Sequence, residues 1–194
     1  MSQPILMRLS VIAGLLLPTF AYAHVGAGEA SGFMHGLTHP TGGLDHLCAM
    51  LAVGIWAAQM GGRSLWAVPL TFVGVMALGG ALLMLGISLP FVEQGIVLSV
   101  LLLGVLVAAS VRLPLWLSSS MVGMFALWHG HAHGAEMPEL ASGFGYALGF
   151  MLATALLHAI GIAFGLGMQR LARERVIHAA GAGIALCGAY LAVA

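Results

Sequence analysis

Two short stretches of this chain gather the side chains that divalent metal ions bind. The first is HPTGGLDH, His39 to His46, and the second is WHGHAHGAE, Trp128 to Glu136. Their donors are imidazole and carboxylate, with Met50 offering sulfur as a softer extra. That set suits nickel, zinc, copper(II), cobalt or iron(II) better than magnesium or calcium, and residue types alone do not choose among them.

In the first stretch, Pro40 and the two glycines make a turn that starts a helix, with Thr41 as its N-cap. Asp45 and His46 then fall in the first turn or two. There the helix dipole favours an ionised aspartate and disfavours a protonated histidine, and carboxylate and neutral imidazole are the forms a metal takes. Met50 lies four residues after His46 on the same face. The ordinary uses of these three positions are a capping aspartate, a histidine bonded to a carbonyl and a packing methionine. In the second stretch, helical spacing puts His129, His133 and Glu136 on one stripe and points His131 elsewhere. An extended segment would instead give all three histidines one face, and Gly130 and Gly134 leave both conformations open. Glu136 is placed to orient an imidazole from behind.

The elements that must hold these residues are legible from composition. The chain is 61% hydrophobic and 6% charged, with a mean hydropathy of +1.06, whereas a soluble domain carries about 25% charged residues. The expected fold is an all-α membrane protein, a six-transmembrane-helix bundle after a cleavable signal peptide. Residues 1–23 read as that signal: Arg8, the apolar run LSVIAGLLLPTF, then AYA before His24. Residues 24–194 form one domain, with apolar spans at 44–60, 65–87, 94–111, 114–130, 141–168 and 176–193. Each approaches the ~20 residues that cross a bilayer. The pairs Gly145/Gly149 and Gly161/Gly165 predict close helix packing by the fifth span. Cys48 and Cys187 sit in apolar runs and read as packing residues rather than a disulfide. Lysine is absent and six arginines balance six acids, so no basic patch points to nucleic acid.

Orientation follows from the arginines. Arg63, Arg112, Arg170, Arg173 and Arg175 fall in alternate connectors, and the positive-inside rule makes that side cytoplasmic. The mature N-terminus and the C-terminus are then periplasmic, in the inner membrane. Glu29, Glu93, Glu136 and Glu139 fall on the outer side. Seven of the nine histidines gather there too: His24, His35, His39, His46, His129, His131 and His133. His158, in LLHAIG, lies about 20 Å along span five from its outer end at 1.5 Å per residue, on a stripe with Thr154 and Gly161. It reads as a relay ligand or gate further along the path, or as a hydrogen bond between helices. His178 reads as structural or interfacial.

These residues resemble the HupE/UreJ family of small nickel permeases, associated with hydrogenase and urease maturation. The resemblance rests on H-P-x-x-G-x-D-H at His39, Pro40, Gly43, Asp45 and His46, continuing through Met50, Val53 and Gly54. The segment H-G-H-A-H-G-x-E from His129 to Glu136 and LLHAIG around His158 support it. It implies import of nickel, or cobalt, and points to His39, Asp45, His46, His129, His131, His133 and His158 as metal residues. His24, His35, Met50 and Glu136 are secondary or capture positions. The expected function is a permease carrying Ni2+ inward, with Co2+ or Zn2+ as competing ions, no organic cofactor and no catalysis. The lipid bilayer and hydrogenase or urease maturation proteins are the expected partners. No P-loop is present, so energy must come from a gradient, the membrane potential or a partner. Two other classes fit the donors: an intramembrane zinc-dependent hydrolase, and an accessory protein that binds metal without transporting it.

Overall fold

The computed structural model describes residues 32–137 and 142–194. The expected signal peptide, the mature N-terminal His24, Glu29 and Glu139 lie outside them. The described residues are all helical: α1 Gly32–Thr38, a 3-10 turn at His39–Thr41, α2 Leu44–Met60, α3 Ser64–Met84, α4 Val92–Ala108, α5 Leu115–Ala135, α6 Gly143–Arg170 and α7 Glu174–Leu191.

The six long helices follow the six apolar runs, because each run is closed by turn residues that cannot continue it. Gly61 and Gly62 take φ of 70° and 54°, a region open to glycine but strained for other residues. There the chain reverses into α3. The helix at 32–38 was not expected. It meets α2 at a bend of 80°, and Gly32 and Gly36 bury its inner face against the start of α6. Two small residues four apart are the signal that announces it. Thr41 is not the N-cap of α2. Gly43 takes that position with extended backbone, and the Thr41 hydroxyl instead donates to Thr38 O at 2.7 Å.

α2 is the central helix, packed against α3, α4, α6 and α7. It is buried on every side from Ala52 to Gln59, as expected of a helix apolar all round. The outer helices show the reverse. Leu148, Leu152, Leu156 and Ile160, at steps of four along α6, are all exposed, a continuous apolar stripe that water would not tolerate. By length and composition, α3 and α6 are each able to cross a membrane, and the bent pair of α1 and α2 makes a third candidate. The other helices are shorter, or are diluted by the histidines of α5 and the charges of α7.

Glycines set the spacing that positions the site. A Cβ at Gly130 would strike the Met76 carbonyl, so its absence lets α5 lie directly on α3. A Cβ at Gly54 would strike the His158 carbonyl and approach Gly161, so α2 and α6 touch backbone to backbone. Gly149 and Gly161 bear out the expected close packing by the fifth span: Gly149 faces the Phe33 carbonyl and Gly161 the Leu51 carbonyl. Cys48 and Cys187 are both free.

Candidate metal centre

α5 is helical through Ala135, so the WHGHAHGAE histidines stand on a helix and the extended alternative falls away. His129 and His133, one turn apart, both face inward and are fully buried. Opposite them, the first turn of α2 presents His46. Its ring centroid lies 4.4 Å from that of His133 and 4.9 Å from that of His129. Three imidazoles from two helices thus converge at one end of the bundle.

Their hydrogen bonds fix which nitrogens are free. Asp45 Oδ1 lies 2.7 Å from His46 Nδ1 and also accepts from the His46 backbone N–H at 2.7 Å. With Nδ1–H donating to the carboxylate, the lone pair sits on Nε2, which is buried and has no partner. For His129, Ser99 Oγ lies 2.6 Å from Ile96 O and 2.9 Å from His129 Nε2. A carbonyl has no proton to give, so the serine proton points at Ile96 O. Nε2–H of His129 then donates to Ser99, leaving Nδ1 as a buried acceptor without a partner. His133 stacks on Phe150, with centroids 5.1 Å apart and planes at 19°, and neither of its nitrogens has a partner. A buried polar atom with no partner costs about 1–3 kcal/mol. Several on rings packed 4.4–4.9 Å apart are what a metal site looks like without its ion. Asp45 stands behind His46 as an orienting carboxylate, an arrangement common around metal-bound histidines.

A second group lies further out and shares His133. His39 Nε2 donates to Glu136 Oε2 at 2.7 Å, and donor atoms of His39, His133 and Glu136 lie within 4.8 Å of one another. That hydrogen bond holds Glu136 below the usual carboxylate range, against the upward push of partial burial. His35 stacks 5.9 Å from His39. α1 and the 3-10 turn therefore fold the first histidines over the mouth of the site, and Tyr146 packs beside both rings.

Two expected residues stand apart. His131 is two positions from His129, about 200° round the helix. It turns to the connector after α3 and accepts from the Leu89 backbone N–H at 3.1 Å. It is not brought to the group and instead anchors that connector. His158 lies deeper, fully buried, with both nitrogens unpartnered. The Phe72 ring packs against both it and His129, with centroids 5.1 and 5.5 Å from the two imidazoles. Met50 is buried one turn below His46. Sequence reasoning did not single out Ser99 or Phe72. Ser99 had a signal, being a polar residue within an apolar helix, which must turn inward to find a partner. Phe72 had none, since one phenylalanine among apolar neighbours looks like any other.

Residues 12–191 match the family model described as HupE / UreJ protein. The chain is 47% identical over 186 residues to Protein HupE of Rhizobium leguminosarum bv. viciae, covering 95% of this chain and 96% of that one. No solved structure matches it. The resemblance carried by His39–His46 and His129–Glu136 thus extends along nearly the whole chain, which belongs to the HupE/UreJ family.

Proposed function

We propose that this protein carries Ni2+ inward across the cytoplasmic membrane, with His46, His129 and His133 as the first dehydrating station. The observation that carries the reading is the convergence of three buried imidazoles whose free nitrogens have no protein partner. Asp45 and Ser99 hold two of those rings in the tautomer that presents a lone pair inward. Family membership supports a nickel-related membrane protein accessory to hydrogenase or urease. Its curated relative is named only Protein HupE.

In this reading all six long helices cross the bilayer after removal of residues 1–23, and the arginine-bearing connectors face the cytoplasm. His39 and Glu136 meet the ion at the periplasmic mouth, and His35 and His24 help gather it. His133 belongs to both groups and passes it to His46 and His129. Asp45 adds negative charge near the ion without being consumed as a ligand. Entry through 100 mV stabilises a divalent ion by about 4.6 kcal/mol, from about 2.3 kcal/mol per charge, so no nucleotide is required. Three neutral imidazoles fill only part of a metal's coordination sphere, so they strip part of the hydration shell without caging the ion, as conduction demands. Co2+ and Zn2+ compete for the same donors.

The test is nickel accumulation in a cell lacking its own uptake system. The intact gene should raise cell nickel above an empty vector, and His46→Ala should abolish the gain. Accumulation equal to the empty vector sinks transport; equal accumulation by His46→Ala sinks the site.

A further inference from the structure

We propose that Phe72 is the closed barrier of the pathway, an apolar ring that separates the outer histidine station from an inner station at His158 and must swing aside for an ion to pass. The inference rests on the transport reading and adds to it the element that prevents a free leak.

The geometry is specific. Phe72 is fully buried on α3, in line with Val68 and Met76 at steps of four. Its ring lies 5.5 Å from that of His129 and stands edge-to-face on that of His158, at 5.1 Å and 87°. Aromatic centroids at 5–6 Å are in van der Waals contact, so no water fits between the rings. Yet both imidazoles carry unpartnered nitrogens, Nδ1 of His129 and both of His158. A core phenylalanine ordinarily packs among aliphatic side chains. Here it packs directly against two imidazoles with unpartnered nitrogens, and a hydrophobic constriction is a recognised way to stop an ion by refusing it solvation.

The surroundings say what moves. The His158 backbone is clamped, because Gly54 brings α2 onto its carbonyl. On the other wall, Pro69 lies one turn before Phe72 inside α3, removing one backbone hydrogen bond where the barrier is anchored. Thr154 donates to Met76 Sδ at 3.7 Å, which ties the same two helices one turn along. Rotation of the Phe72 side chain is the smallest movement that joins His129 to His158.

The test measures water access without requiring transport. In full-length protein with Cys48→Ala and Cys187→Ala, in sealed vesicles, a small thiol reagent is added from the outer side to a His158→Cys variant. Phe72 should protect that cysteine, and Phe72→Ala should raise its labelling rate about tenfold or more, corresponding to a barrier lowered by ~1.4 kcal/mol. Labelling of His129→Cys should be the same in both backgrounds. Val107→Cys, buried on α4 away from the row, should stay unlabelled, which excludes general loosening. If Phe72→Ala does not fold, Phe72→Leu keeps the helix and should give a smaller rise in the same direction. Equal labelling of His158→Cys with and without Phe72 overturns the barrier. Nickel flux into the same vesicles is read separately. Absence of wild-type flux overturns the transport reading, while the labelling result still decides whether Phe72 closes the path.

Discussion

The two ends of the bundle both bury polar side chains among apolar helices, and they treat them oppositely. At the arginine-bearing end, donors find acceptors. Trp56 Nε1 donates to Val111 O at 2.7 Å, Gln59 Nε2 to Val107 O and Ser110 Oγ at 3.0 Å, and Gln169 Nε2 to Ala58 O at 3.2 Å, while Ser110 Oγ meets His178 Nε2 at 2.9 Å. Those bonds tie α2, α4, α6 and α7 together, with the Gln59 carbonyl oxygen the one atom left over. At the histidine end, Asp45 and Ser99 satisfy one nitrogen each of His46 and His129, and the other nitrogens of these rings, with both of His133, have no partner. A satisfied polar network is architecture. Lone pairs that Asp45 and Ser99 hold in place and that no protein donor meets are a place for a cation.

The sharpest way to break that contrast is to delete one histidine from each end. His129→Ala should lower nickel affinity about 100-fold or more, beyond the 10–100-fold typical of lost outer-shell partners. His178→Ala should leave affinity unchanged and cost about 1 kcal/mol of stability, the worth of an ordinary hydrogen bond. Titration calorimetry of purified protein reads the first and thermal melting the second. Equal affinity losses at the two ends would erase the distinction.

Orientation of the rings comes next in size. Asp45→Asn keeps the shape but weakens the pull on His46 Nδ1–H, and should reduce nickel affinity by about 10–100-fold. Ser99→Ala should cost less, near the low end of that range, because a neutral hydroxyl restrains its ring less firmly than a carboxylate. An order reversed between these two variants in the same binding assay would contradict the tautomers assigned from the hydrogen bonds.

Packing gives a third comparison, between two glycines of the same bundle. Gly130→Ala forces a methyl into the Met76 carbonyl and should cost about 1–3 kcal/mol, as overpacking does. Gly74 has open space where a Cβ would stand, so Gly74→Ala should be neutral or stabilise by up to ~1 kcal/mol through helix propensity. Thermal midpoints of the two variants decide it.

The smallest effect is the pH dependence of the mouth. Glu136 has its carboxyl held below the ordinary value of 4.5 by the His39 hydrogen bond. A depressed folded-state pKa contributes stability above the unfolded value, lost as pH falls through the folded one. The difference in melting temperature between wild type and Glu136→Gln should therefore hold steady above the ordinary carboxylate range and shrink toward zero below it. Glu136 is exposed, so the difference will be small. A gap that widens on acidification would refute the pairing.

Much of the fold was legible because apolar runs have few other uses. The expected span at 44–60 coincides with α2, and the other five agree with α3 to α7 to within a few residues at most ends. The larger departure, α5 running on to Ala135, arises because histidines and glycines read as a loop by hydropathy yet continue a helix once their polar faces are buried against α2 and α6. α1 escaped because seven residues are too few to show an apolar period, and its glycines four apart are a weak signal in a chain with 28 glycines. The stripe of His129, His133 and Glu136 and the divergence of His131 were legible as one of two conformations that spacing left open, and the helix decided between them.

Sequence by itself determined the helices, the ligand types and their crowding at one end, because hydropathy and helical period act locally along the chain. It also determined that Asp45 and His46 share a first turn, which puts the carboxylate within reach of the ring. Tertiary structure decided the rest. Which nitrogens are free depends on Ser99 and Ile96, thirty or more residues from His129. His46 meets His133 in a bundle where Gly130 lets α5 close on α3 and Gly54 lets α2 close on α6. Phe72 stands between His129 and His158 because α3 passes between α5 and α6 at that depth. Each is a relation between segments distant in the chain, and a period read along one helix says which way a side chain points but not what waits there.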